Sequence, residues 1–420
     1  MKRLVAPVRV FREVLRRITR ERAHGLDWPV GRSQWGDSLE LILAPASSGV
    51  ERTLRVVLTD DFDPPRWLPP PCAGVLLVGR ERRRGRAVGF LARSPVDLEP
   101  LDCVQLIGPG MHRIPLAGSR SLPDLQQDSG DGSPLRRWSR TIGALGPAWR
   151  RLVRLRFGLV GAGRTGSVFA RLLLRIGVRH LTLIDPDVME RFNLGESDDC
   201  LVESDAGRPK VDALADALRA LYPRADIRCV HESISHVCSF DAARACDMLV
   251  CSADHDSARL ATACVALLFC RPLLDVATGI HREAPNRMGA SVRLVLPGRC
   301  LLCTGGLRVV DAGRALRSAE AERAFHAGRD WRTERAGSLA SLNHLAAALG
   351  LRMIEDLLLE RIRDTTWLQL EYDSSGRVAT AYPPLPEIHD TAPCRLCATL
   401  AGMGDDGLAL VPGLIRSMER

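Results

Sequence analysis

The chain has 420 residues, 46% hydrophobic and 26% charged, which is ordinary globular composition with room for about two to three domains. Its net charge of +8 comes from basic residues scattered through every segment, and aromatics make up only 5%, so no concentrated nucleic-acid footprint is expected. No run of about 18 apolar residues occurs, and the N-terminus lacks the apolar core of a signal peptide; the expectation is no membrane span and a cytoplasmic location.

The opening stretch VRVFREVLRRITRER places Val10, Phe11, Val14, Leu15 and Ile18 on one face and predicts a packed amphipathic helix. Short strands are expected at 39–44, 54–60, 73–79, 87–92 and 103–108. The basic cluster RERRRGR, Arg80 to Arg86, lies between two of them and reads as a solvated hairpin tip. Residues 1–118 are therefore taken as a small α+β or mostly β accessory domain, with His24 and His112 as its only histidines and no catalytic constellation. A linker is expected at 119–134, where SRSLPDLQQDSGDGSP has almost no apolar content.

From Leu135 to the end at residue 420 the pattern becomes α/β. Apolar runs at 153–160, 180–184, 227–230, 248–251 and 272–276 alternate with helical patterns after the first glycines, at 209–221 and at 257–269. That alternation predicts a mostly parallel, Rossmann-like sheet covered on both faces, with ligands at the carboxyl ends of its strands. A further strand at 291–296, a helix at 339–359 and two short strands around Trp367 and Val378 follow.

Three sets of residues in this domain carry chemistry. Gly161, Gly163 and Gly166 stand between an apolar run and a helix, and Asp185 closes the next strand. This is the pattern of a phosphate-cradling turn with an acid for ribose hydroxyls. Asp187, Asn193, Arg208, Lys210 and Asp254 follow strand ends and should converge above that turn. A hydride-transfer enzyme has no use for a lysine and a second carboxylate beside its phosphates, whereas chemistry at an α-phosphate needs both, which favours ATP and Mg2+ over NAD. Read singly, Asn193 is a turn residue, Asp254 a helix N-cap and Lys210 a solvated first-turn side chain. Cys300, Cys303, Cys394 and Cys397 form two C-x-x-C pairs in a chain of 13 cysteines, the donor set of a closed structural Zn2+ site that would clip the C-terminal tail to the sheet. Cys229, Cys238, Cys246, Cys251, Cys264 and Cys270 are expected to be buried core.

Over residues 137–397 the chain resembles the ThiF/HesA/MoeB family of bacterial ubiquitin-activating-enzyme-like adenylyltransferases. The resemblance lies in ordered motifs: RWSR from Arg137 to Arg140, GAGRTG, DPDVMERFNL, GRPKV, SADHD and the two cysteine pairs. It implies that Asp185 binds ribose, that Asn193 and Lys210 contact phosphates, that Asp254 holds magnesium, and that Arg140 reaches the ATP of the other subunit of a homodimer. The substrate would be the C-terminal carboxylate of a small ubiquitin-like or sulfur-carrier protein or a peptide, with the N-terminal domain recognising a carrier or partner. Two departures carry consequences. Glu196 stands where the family has a phosphate-holding arginine, so either Arg164, Arg191 or Arg208 substitutes, or adenylation is slowed or lost. No cysteine occurs between Thr304 and Pro393 for a thioester relay, as in the microcin-type peptide adenylating enzymes, and Cys200 is a weak substitute. The alternatives from other classes are an NAD-dependent oxidoreductase and a non-catalytic scaffold.

Overall fold

A computed structural model describes residues 3–7, 38–42, 53–59, 72–79, 87–94, 97–116, 136–194, 201–280, 288–307, 339–373, 375–386 and 394–412. The expected N-terminal helix, the Arg80 to Arg86 cluster, the 119–134 linker, Glu196 and Cys200 lie outside the described residues.

All five strands expected in the first part are present: β2 (Ser38–Ile42), β3 (Thr53–Thr59), β4 (Cys72–Gly79), β5 (Ala87–Ser94) and β7 (Cys103–Ile107). Three short strands join them, β1 (Arg3–Pro7), β6 (Asp97–Pro100) and β8 (Arg113–Pro115). Strands β2 to β6 form one five-stranded sheet in sequential order, while β1 runs parallel to β7 and β7 antiparallel to β8 in a three-stranded sheet. Because β1 exists only through pairing with residues about a hundred positions away, no local pattern announces it.

The larger part is an eight-stranded sheet in the order β11-β10-β9-β12-β13-β14-β15-β16. Its strands are β9 (Arg156–Val160), β10 (His180–Ile184), β11 (Asp226–Val230), β12 (Met248–Cys251), β13 (Leu273–Ile280), β14 (Met288–Val295), β15 (Thr366–Tyr372) and β16 (Val378–Ala381). The first five in spatial order are parallel and the last three antiparallel. The chain moves outward from β9 to β10 and β11 and then returns to β12 on the other side of β9, so the order reverses beside the glycine turn, where α/β sheets bind ligands.

Helices α1 (Ser139–Leu145) and α2 (Pro147–Leu152) precede the sheet. Among the described residues the other α-helices are α3 (Arg164–Arg175), α4 (Arg191–Leu194), α5 (Lys210–Leu221), α6 (Val237–Arg244), α7 (Asp256–Leu268), α8 (Ala340–Leu358) and α9 (Arg395–Leu400). Side chains alternate across the strands. Phe157, Leu159, Leu183 and Val250 point into one core with α3, α5 and α8, while Val160, Ile184, Leu249 and Cys251 point into a second with α6 and α7. On the first face α3 and α8 lie so close that a Cβ on Gly350 would come within 3.1 Å of Phe169 and 3.0 Å of Leu274.

The first part attaches at the amino edge of this sheet. Ile107 and Met111 belong to the first core, Gly110 N–H donates to the Leu357 carbonyl at the end of α8, and His112 lies 3.0 Å from Glu360. Fully buried Asp247 accepts from the Arg156 N–H at the start of β9 and faces Arg113 at 3.6 Å. Phe169, fully buried between α3 and α8, is central to the packing. Replacing it by alanine is expected to cost about 3 to 5 kcal/mol, read as a lower urea midpoint with unchanged slope.

Candidate active site and metal centre

The glycine turn is built from three glycines with three different reasons. Gly161 has φ +94°, a left-handed conformation that favours glycine, and its N–H donates to the Ile184 carbonyl at 2.9 Å. A Cβ on Gly166 would fall 1.9 Å from the Gly161 carbonyl oxygen, so only glycine lets α3 start this close to β9. Gly163 has φ −77° and no protein atom within 4 Å of an added Cβ; neither backbone strain nor packing requires glycine there. It directly precedes the first turn of α3, whose N–H groups form the positive end of the helix.

Asp185 ties this turn to the next strand. Its carboxylate, 6% exposed, accepts the Ala162 N–H at 2.6 Å with one oxygen and the Asp187 N–H at 2.8 Å with the other. Burial pushes its pKa up and the nearby Lys210 opposes the rise. Lys210 is fixed twice to the same segment, its N–H donating to the Asp187 carbonyl at 2.9 Å and its Nζ to Asp187 Oδ2 at 2.7 Å. Burial alone would lower the Lys210 pKa, but the carboxylates of Asp185, Asp187 and Asp254 outweigh it and hold the ammonium above its ordinary value. Lys210 is also one of only two lysines in the chain, the other being Lys2. That compositional signal was readable in the sequence.

Of the converging set, Lys210, Asp185, Asp187 and Asp254 come together electrostatically. Asp254 is 82% exposed at the end of β12 and pairs with His255 at 3.1 Å; the N-cap of α7 is His255. Arg208 donates to Asp205 at 2.7 Å and to Asp216, so its charge is already matched. Asn193 is held in a turn, its Oδ1 accepting the Glu190 N–H at 3.0 Å. Arg191 is exposed. Arg140 is exposed on α1, and the neighbouring Trp138 indole donates to the Arg175 carbonyl at 2.9 Å. Arg175 is the last residue of α3, so this anchor lies at the end of the helix opposite the glycine turn. Sequence reasoning missed Ser252, whose hydroxyl donates to the Gly161 carbonyl at 2.9 Å. It also missed buried Asn343, whose Oδ1 accepts from Thr165 in α3 and from Thr278 in β13. Both act through contacts distant in sequence.

The four cysteines of the two C-x-x-C pairs come together, with all four Sγ atoms within 4.8 Å of one another. Contacts of 3.8 Å (Cys300 to Cys303), 3.6 Å (Cys300 to Cys394) and 3.9 Å (Cys303 to Cys397) are far beyond a disulfide bond. They match the edge of about 3.8 Å expected for a tetrahedron with metal–sulfur bonds of about 2.3 Å. An all-thiolate, closed donor set fits zinc and leaves no coordination position for substrate. Behind it Leu396, Leu400 and Met403 pack against Leu260, Leu267 and Leu268 of α7. Burial pushes the thiol of Cys246 up to about 11 and those of Cys251 and Cys264 up to about 12, as expected for inert core positions. Cys229 and Cys270 are half-buried and also raised by burial. Cys238 departs from the expectation of simple core: it is half-buried and its Sγ lies 3.0 Å from His236 Nδ1.

Residues 138–311 match the ThiF family. The SAMP-activating enzyme E1 of Haloferax volcanii is 28% identical over 176 residues, 41% of this chain and 63% of that protein. The human ubiquitin-like modifier-activating enzyme ATG7 is 36% identical over 89 residues, 20% of this chain and 12% of that protein. The chain thus aligns with less than two thirds of the length of either relative. Among solved structures, E. coli MccB with ATP covers 62% of this chain and 74% of its own at 16% identity and a TM-score of 0.47. E. coli MccB with MccA-N7isoASN covers 64% and 76% at 16% identity and a TM-score of 0.48.

Metal analysis of the purified protein should find about one zinc per chain, bound by four thiolates. Cys394→Ser should lose it and open residues 394–412 to limited proteolysis, because the α9 segment then keeps only its apolar contacts. Full zinc occupancy in that variant would refute the four-thiolate clip.

Proposed function

We propose that this chain, whose ThiF-family domain spans residues 138–311, is an ATP-dependent adenylyltransferase that activates the C-terminal carboxylate of a small protein or peptide. The observation that carries the reading is Lys210, whose half-buried ammonium is bonded to Asp187 and stands in the field of Asp185 and Asp254 beside a glycine turn in a chain that otherwise uses arginine for every cation after Lys2. Gly163 supports it, because ligand approach is the reason for glycine left when backbone strain and packing are removed. Asp185 has two of about four carboxylate acceptor sites still unused and can take ribose hydroxyls through them.

In the proposed reaction an oxygen of the substrate carboxylate bonds to the α-phosphorus of ATP, the bond to the bridging oxygen breaks, and pyrophosphate leaves with that electron pair. The nucleophile is already ionised, so no general base is needed. Catalysis rests on positioning and charge: Lys210 moves from Asp187 toward the developing negative charge, while the positive end of α3 faces the phosphates. Asp185, Asp187 and Asp254 exceed the single ammonium in charge, and a magnesium ion at Asp254 would supply the neutralisation that brings ATP into this acidic setting. Asn193 would reach the phosphates once its bond to Glu190 opens. Arg140 would act on the ATP of a second copy in a homodimer, consistent with its anchor at the far end of α3. Arg208 is committed to Asp205 and Asp216, which leaves Arg164 or Arg191 to take the place of the absent family arginine.

The test is calorimetric titration with magnesium-ATP and with NAD. Wild type should bind ATP and not NAD. Lys210→Ala should weaken ATP binding about 10- to 100-fold, the loss of one charge-assisted hydrogen bond, and Lys210→Arg should not restore it. Gly163→Ala should weaken ATP binding without lowering the melting temperature. Tight NAD binding indifferent to Lys210 would overturn the reading.

A further inference from the structure

Helix α8 packs on α3 and β13 through a face that is apolar except at one position. Every buried residue of α8 is apolar or glycine apart from Asn343, which is 1% exposed. A buried amide is costly unless its polar atoms are hydrogen-bonded, and leucine or alanine would fill such a place without that cost. Among the bonds that offset it are two from threonine hydroxyls. Asn343 Oδ1 accepts from Thr165 Oγ1 at 3.3 Å and from Thr278 Oγ1 at 3.1 Å, which uses both lone pairs of the oxygen.

The three residues come from three elements that start or end at the same edge. Asn343 lies in the first turn of α8 and Thr165 in the first turn of α3. Further along each helix Gly350 meets Phe169, so the two helices run the same way from the carboxyl edge of the sheet. Thr278 lies past Asp275, the β13 partner of Cys251 at the end of β12, so β13 outruns its parallel neighbour beside the glycine turn. One amide oxygen thus joins two helix starts to a strand end. The incoming limb of the turn has its own ties, Ala162 N–H to Asp185 and the Ser252 hydroxyl to the Gly161 carbonyl. Those ties stop before the helix begins.

We propose that Asn343 is a positioning residue of the nucleotide site: through Thr165 it fixes the first turn of α3 against Thr278, and so sets where the N–H groups of that turn meet a bound phosphate. Asp185 holds the incoming limb and Asn343 the outgoing one. Preorganised donors are sensitive to place, and a shift of about 1 Å can cost roughly 100-fold. The ribose, taken by Asp185, does not draw on the outgoing limb, so Asn343 acts on the phosphates alone. That the ligand is ATP rests on the adenylation reading; the hold on α3 does not.

The test compares the full-length wild type with Asn343→Leu and with the triple variant Thr165→Val, Thr278→Val, Asn343→Leu. Removing donors and acceptor together leaves no hydroxyl without a partner, so the triple variant should regain the melting temperature that Asn343→Leu loses. Hydrogen exchange without nucleotide should be about tenfold faster over residues 164–168 in both variants, the loss of one to two net hydrogen bonds. Both should bind magnesium-ATP at least about tenfold more weakly while adenosine binding stays within about twofold. Equal losses for ATP and adenosine, or a triple variant that recovers ATP affinity along with its melting temperature, would reduce Asn343 to a packing residue and end the proposal. A wild type that binds no ATP would remove the adenylation reading, and the exchange comparison then decides the hold on α3 alone: an unchanged rate in Asn343→Leu rejects it, a faster one keeps it.

Discussion

The carboxylate of Asp185 is the constraint on which the candidate site depends. It is buried, and burial of an isolated charge costs several kcal/mol, so it persists only because its surroundings answer it. Two backbone N–H groups do so, one from the glycine turn at Ala162 and one from Asp187. The same carboxylate thereby fixes the turn after β9 to the end of β10. Lys210 lies near enough that its charge opposes the rise that burial imposes on the Asp185 pKa. Turn and strand end are consequently one mechanical unit: separating them leaves the buried carboxylate or a backbone N–H without its partner.

Much of this unit was legible in the sequence because its determinants are local. Apolar runs mark parallel strands buried on both faces, and the glycines mark a turn whose geometry other residues cannot adopt. Two C-x-x-C pairs announce a common site however far apart they lie, since neither alone completes a tetrahedron. The failures are non-local or depend on where a helix begins. β1 acquires its conformation from β7, and Asn343 reaches Thr165 and Thr278 across the core. Arg208 faced the glycine turn in a linear reading, yet Asp205 precedes it by one turn and Asp216 follows it by eight positions, both within reach once the helix starts at Lys210. Cys238 reads as core because Val237 and Phe240 flank it. Only a helix that begins at Val237 brings the ring of residue 236 back over the thiol.

The two edges of the large sheet are used differently. At the amino edge, buried Asp247 and the end of α8 receive the segment 97–116, through Arg113, His112 and the Gly110 N–H. At the carboxyl edge lie the glycine turn, Lys210 and Asp254. The segment 97–116 therefore joins the large sheet on the side opposite the proposed chemistry.

Cation choice follows the same division between holding and reacting. Arg259 makes two bonds to buried Asp275 and a third to Asp256, and Arg208 bridges two carboxylates. These are fixed, multi-toothed contacts that suit a planar guanidinium. Arg293, stacked 4.2 Å from the Trp367 ring, uses the flat face of the same group. None of these contacts could be reproduced by a compact ammonium. The converse holds at position 210, where Nζ makes a single ion pair, to Asp187, and in the proposed reaction a single-point charge on a flexible stem would leave it without dragging a network of bonds. On the proposed reaction, a chain that answers nearly every other need for positive charge with arginine keeps lysine where the charge would have to move.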